Sequence, residues 1–125
     1  MKKLYILLFA LMVQVSVFAA ANNRAAPFES DIDADIVNYT RINETLITAG
    51  TPGPGAYKEL VGHNVKTIID LRHDDDEVNA ARKEVLAAGG KFYNIPLYSR
   101  KDISPQQVRQ FARIFENTKG PLMIN

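Results

Sequence analysis

Val65-Lys66-Thr67-Ile68-Ile69-Asp70-Leu71-Arg72 decides how this chain folds. The run is β-branched, largely apolar and of ordinary strand length, and it lies between two helical patterns. It reads as a strand buried on both faces, as in a parallel sheet. On its N-terminal side, Tyr57, Leu60 and Val61 stand at i, i+3 and i+4 and give a short helix one apolar face. Gly62 and Asn64, which tolerate left-handed backbone, are expected to end that helix. On its C-terminal side, His73 to Glu77 opens a second helix, with carboxylates at the positive end of the helix dipole. Val78, Ala81, Val85 and Ala88 make its inner face, and Gly89-Gly90 stops it.

Further along, Lys91-Phe92-Tyr93-Asn94-Ile95-Pro96-Leu97 reads as the next strand, ended by Pro96, which cannot donate to a ladder. A loop, 98–103, leads to the strongest helix signal in the chain. Ser104 is the N-cap, Pro105 takes the first helical position, and Gln107 completes a capping box. Val108, Phe111, Ala112 and Phe115 follow at i, i+3, i+4 and i+7 and form the apolar row. Asn117 to Gly120 close the helix, and Pro121-Leu122-Met123-Ile124-Asn125 begins another buried strand. Before the first helix, Arg41-Ile42 and Leu46-Ile47-Thr48 flank a turn and suggest a small hairpin of edge strands. Gly50, Gly53 and Gly55 evoke a phosphate loop. Pro52 and Pro54 remove backbone donors there, and no Gly-Lys-Ser/Thr follows, so the stretch is expected to be a turn. The alternation predicts an α/β fold with a parallel sheet and right-handed crossovers.

The N-terminus reads differently. Lys2-Lys3, an apolar run from Leu4 to Phe18 and Ala19-Ala20-Ala21 have the layout of a secretory signal over residues 1–21. The expectation is an exported protein with no stable membrane anchor after cleavage. Residues 22–36 read as a linker or flexible arm, and residues 37–125 as the domain. Glu29, Asp31, Asp33 and Asp35 lack the glycines and paired ligands of a calcium loop and read as solvated surface. Loss of Lys2 and Lys3 leaves 13 of the 15 basic residues against 14 acidic ones, a net charge of −1. That balance argues against a nucleic-acid partner. The absence of cysteine excludes disulfides and any thiol nucleophile within these residues.

Ile68-Ile69-Asp70-Leu71-Arg72, Tyr93-Asn94-Ile95-Pro96-Leu97, Ile103-Ser104-Pro105-Gln106-Gln107-Val108 and Gly120-Pro121-Leu122-Met123-Ile124 occur in that order. As an ordered set they resemble the cysteine-dependent phosphatases of dual-specificity type. Among these, the set is most similar to the bacterial phosphatase-like domain associated with β-lactamase-type hydrolases. The resemblance spans 37–125 and implies hydrolysis of a phosphomonoester through a phosphocysteine, with no cofactor and a phosphorylated substrate. It implies that the last strand runs into His-Cys-x5-Arg, so that the 125 residues are the N-terminal portion and inactive by themselves. In such a loop, backbone N–H groups hold the phosphate dianion, a thiolate attacks phosphorus, and arginine binds the equatorial oxygens.

The resemblance places the general acid on the loop after the Ile-Pro strand. Asp102 is the single carboxylate of Tyr98 to Asp102 and is the candidate, though the family aspartate usually falls nearer Ser99. Asp102 also suits a surface position close to the next helix cap. Arg72, at the carboxyl end of its strand, is a candidate substrate contact, with pairing to one of Asp74 to Glu77 the favoured alternative. Arg100 is a second candidate, and with Lys101 it also fits solvent-facing charge. His63 and His73 lie on different loops without helical His-x3-His spacing, so no metal site is expected. Two other readings remain open: a non-catalytic exported α/β binding module, and a rhodanese-like sulfurtransferase, which would also need a cysteine.

Overall fold

The computed structural model describes residues 25–101 and 103–125. Residues 1–21, read above as a signal, and Asp102 lie outside the described residues. Five strands form one sheet: β1 (Thr40–Arg41), β2 (Leu46–Thr48), β3 (Thr67–Asp70), β4 (Lys91–Asn94) and β5 (Leu122–Ile124). Their spatial order is β1-β2-β5-β3-β4. β1 and β2 pair antiparallel, as the expected hairpin, and the remaining pairings are parallel. Among the described residues, three α-helices complete the fold: α1 (Ala56–Gly62), α2 (Asp75–Ala87) and α3 (Pro105–Asn117). The sheet is thus mixed, with its antiparallel pair confined to one edge.

The helix ends follow local chemistry. The Asp74 carboxylate caps α2 by accepting from the Glu77 N–H at 2.9 Å. At α3, Ser104 Oγ accepts from the Gln107 N–H at 3.1 Å, and Gln107 Oε1 accepts from the Ser104 N–H at 3.0 Å. This is the capping box read in the sequence. Asn64 just beyond α1 and Gly89 just beyond α2 take φ values of 72° and 89°. Gly90 is required by packing instead: a Cβ there would lie 2.8 Å from Val85 Cγ1 and 3.2 Å from the Lys66 carbonyl oxygen.

Successive strand residues point to opposite faces, so Ile68 and Ile69 belong to different layers. Under α1 and α2, Ile47, Leu60, Val65, Ile68, Val85 and Met123 form a core at 0% exposure. On the other face, Ile69, Ile95, Ile114 and Leu122 form a smaller one beneath α3. Here the expectation for α3 needs correction. Its one fully buried residue is Ile114, with Phe111 half-buried, while Val108 and Phe115 are 56% and 37% exposed and Ala112 is exposed too. The apolar row exists, but α3 rests on the sheet through Ile114, so the row overhangs it. Together with Leu71, Ile95 and Leu97, Val108, Phe111 and Phe115 line an apolar groove of about 620 Å³.

The described part of the expected arm is packed. Ala26 is buried and its N–H donates to the Glu44 carbonyl at 2.7 Å. Tyr39 Oη donates to the Pro27 carbonyl at 2.6 Å, and Arg41 Nε to the Ala26 carbonyl at 2.9 Å. The Arg41 guanidinium lies 4.3 Å from the centroid of the Phe28 ring. Glu59 of α1 accepts from the backbone N–H groups of Asp33 and Ala34. Long-range partners hold this segment where its own polar sequence would leave it loose.

Candidate functional site at the carboxyl edge of the sheet

The parallel strands β2, β5, β3 and β4 all direct their carboxyl ends to one edge, where open α/β sheets place ligands. β5 lies between β2 and β3, so Asn125, which follows it, sits at the middle of that edge. The Asn125 N–H donates to the Ile69 carbonyl at 3.0 Å, and its own carbonyl accepts from the Leu71 N–H at 2.7 Å. Its side-chain Nδ2 donates to Tyr57 Oη at 3.0 Å. The end of β5 is therefore fixed by β3 on one side and by α1 through Tyr57.

Arg72 lies at the end of β3 and organises the same corner. Its Nη2 donates to Asp70 Oδ2 at 2.7 Å, and its Nε lies 3.1 Å from Asp70 Oδ1. The Arg72 N–H also donates to Oδ1 at 2.9 Å. Nη2 reaches Tyr57 Oη at 3.1 Å and Nη1 reaches Glu77 Oε2 at 3.3 Å. The Asp70 side chain is 0% exposed and that of Arg72 is 19% exposed. A buried carboxylate is stable only when paired and hydrogen-bonded, and Asp70 is both. Glu77 is the partner expected from the acidic run, and it is 60% exposed. Asp70 is the closer partner. The sequence carried the signal, because an aspartate side chain readily accepts from the backbone N–H two residues on, and Asp70 does so from Arg72.

Asn94 ties the next strand to this corner. Its Nδ2 donates to the carbonyls of Asp70 and Arg72, both at 2.9 Å. Gln107 Nε2 donates to the Pro96 carbonyl at 2.9 Å, which fixes the start of α3 against the loop that contains Arg100. Arg100 is exposed on that loop. His73 stacks on Tyr98 with ring centroids 4.9 Å apart, and His63 Nε2 lies 4.0 Å from Glu59. Among the described residues, no group of three or more His, Cys, Asp or Glu side chains is placed to hold a metal ion.

Electrostatics decides what Tyr57 can do. Burial pushes its phenol up to about 12, with the Arg72 charge acting the other way and Asp70 adding to the rise. Hydrogen bonding to Asp70 holds Arg72 above its usual range. Tyr57 is thus a neutral structural group at physiological pH and no base. An unfolded chain has tyrosines near 10, so the folded preference for the neutral phenol contributes stability fully present below that value. That contribution is lost as pH rises from about 10 through about 12. Tyr39, likewise pushed up to about 12 chiefly by burial, acts in the same window. Urea midpoints measured from pH 9 upward are expected to fall across this window, and Tyr57→Phe is expected to flatten the fall. An unchanged slope in the variant would show that Tyr57 ionisation is not linked to unfolding.

No family model and no curated protein sequence matches the chain. Among solved structures it is similar to P. aeruginosa TpbA, with a TM-score of 0.55 at 20% identity over 82% of this chain. The match spans 58% of the TpbA chain. At that identity the likeness shows the fold alone, a mixed α/β sheet flanked by helices. The four sequence segments that carry the resemblance fall on β3, β4, the start of α3 and β5.

Proposed function

We propose that the chain carries the scaffold of an exported cysteine-dependent phosphatase that hydrolyses a phosphomonoester. The observation that carries this reading is the placement of Asn125. It is held by β3 and by Tyr57 of α1 at the centre of the carboxyl edge, where β5 would deliver a phosphate loop. The fold shared with TpbA and the ordered sequence segments agree with it.

In this reading a thiolate from the delivered loop attacks phosphorus and the bond to the leaving oxygen breaks. Asp102 gives that oxygen its proton, and water then releases phosphate from the phosphocysteine. Arg100 adds positive charge on the neighbouring loop and favours approach of the dianionic substrate. Arg72, with its guanidinium engaged by Asp70, Glu77 and Tyr57, is a positioning residue that fixes the edge on which the loop stands.

The coding sequence beyond codon 125, with an assay of the protein it encodes, tests this. The expected result is a His-Cys-x5-Arg continuation and turnover of p-nitrophenyl phosphate in the exported fraction. Replacing that cysteine by serine should abolish turnover, and Asp102→Asn should lower kcat by about 10²–10⁴-fold. A stop codon directly after Asn125, with no phosphatase activity, would favour a non-catalytic exported binding module instead.

A further inference from the structure

The amino-terminal edge of the sheet, opposite the site above, carries a cavity of about 710 Å³. Three lysines from separate segments line it: Lys66 before β3, Lys91 opening β4 and Lys119 after α3. No carboxylate lines it, and no Asp or Glu oxygen lies within 4.0 Å of any of the three ammonium groups among the described residues. Asn64 and Asn117 add side-chain amides, and Tyr93 and Ile114 add apolar surface.

Lysines near helix C-termini have an ordinary structural role, since each such end carries roughly half a negative charge. α1, α2 and α3 all end close to this cavity. Three ends supply at most about one and a half negative charges against three ammonium groups, which leaves an excess of at least about one and a half positive charges. Like charges gathered in a concave, partly apolar site repel one another unless an anion joins them, and such a cleft concentrates anions. The volume falls within the range of roughly 300–1,000 Å³ typical of small-molecule sites.

We propose that this cleft binds a small organic polyanion, with its phosphate groups on Lys66, Lys91 and Lys119 and its organic part against Tyr93 and Ile114. The proposal is independent of the phosphatase reading, because the cleft and the carboxyl edge lie at opposite ends of the parallel strands. A nucleoside diphosphate has the required combination of charge and apolar ring, so ADP is the probe and adenosine its uncharged control.

The test is calorimetric titration of the 125-residue chain with ADP, together with amide chemical-shift mapping. ADP is expected to saturate a single site and to shift the amides of Asn64, Lys66, Gly89 and Gly120, while adenosine leaves them unmoved. Lys66→Ala, Lys91→Ala and Lys119→Ala, all at exposed positions that leave the core intact, should each weaken ADP binding about tenfold. Affinity should also fall between 50 and 200 mM salt. Absence of shifts at millimolar ADP, indifference to the three substitutions, or shifts confined to Leu71–His73 and Asn125 would overturn the proposal. The last of these results would leave the carboxyl-edge reading standing, so the two fail separately.

Discussion

Asp70→Ala is expected to destabilise the domain by about 3–5 kcal/mol, the range for removing one partner of a buried ion pair. Asp70 is fully buried, and its two oxygens accept from the Arg72 backbone N–H, Nε and Nη2. Without it, a guanidinium that is 19% exposed keeps only Glu77 and Tyr57, at 3.3 and 3.1 Å. The hole left at the end of β3 lies against Tyr57, whose hydroxyl also accepts from Asn125. The loss should therefore spread to the carboxyl edge, and the Asn125 amide should lose hydrogen-exchange protection along with the global stability. Urea unfolding of Asp70→Ala, Arg72→Met and the double variant closes a double-mutant cycle. A coupling energy below about 0.5 kcal/mol, the size at which independent sites simply add, would show that the pair does not act as a unit.

Ile68→Ala is expected to cost about 4 kcal/mol, near the upper part of the range for large-to-small core substitutions. Ile68 is 0% exposed, and its strand is held between β5 and β4 in register with Met123 and Phe92. Leu60 of α1 and Val85 of α2 share its core cluster from the helix side. A residue bonded into a sheet on both sides cannot move to close the cavity, so little of the loss is recovered. The apolar row of α3 provides the contrast. Val108→Ala and Phe115→Ala remove side chains that are 56% and 37% exposed in an open groove, and each should cost less than about 1 kcal/mol. Equal losses at Ile68 and Val108 would mean that the groove is covered in solution.

These two results bear on how the chain can be read. The segments with local causes were legible. Ser104-Pro105-Gln107 sets the start of α3 because a capping box is closed within four residues. Gly89 and Asn64 end their helices because left-handed backbone is a property of those residues themselves. The strand Thr67–Asp70 was legible from its β-branched run, although Val65, Lys66, Leu71 and Arg72 fall outside its ladder. Which residues of α3 are buried was not legible. Periodicity marks a row, and the row needs a neighbour wide enough to cover it. Ile114, outside the row, meets one fully, and of the row itself Phe111 packs partly against the same core.

The candidate site divides in the same way. Arg72 could be singled out because it follows a buried strand, and its partner Asp70 is the last residue of that strand. Tyr57 read only as part of an apolar helix face. Its role at the carboxyl edge arises because α1 packs where β5 ends, 68 residues further on, and no local pattern records that meeting. The lysines of the opposite cleft were equally silent, being separate single charges in the sequence.

Local patterning set the α/β alternation, the helix boundaries and the resemblance carried by the β3, β4, α3 and β5 segments, since each depends on residues a few positions apart. Long-range packing set the insertion of β5 between β2 and β3, the fixing of Asn125 by Tyr57 and the gathering of three lysines in one cleft. Those depend on which distant surfaces find enough complementary apolar area to pack. That is a property of the whole folded chain, beyond the reach of any one stretch of it.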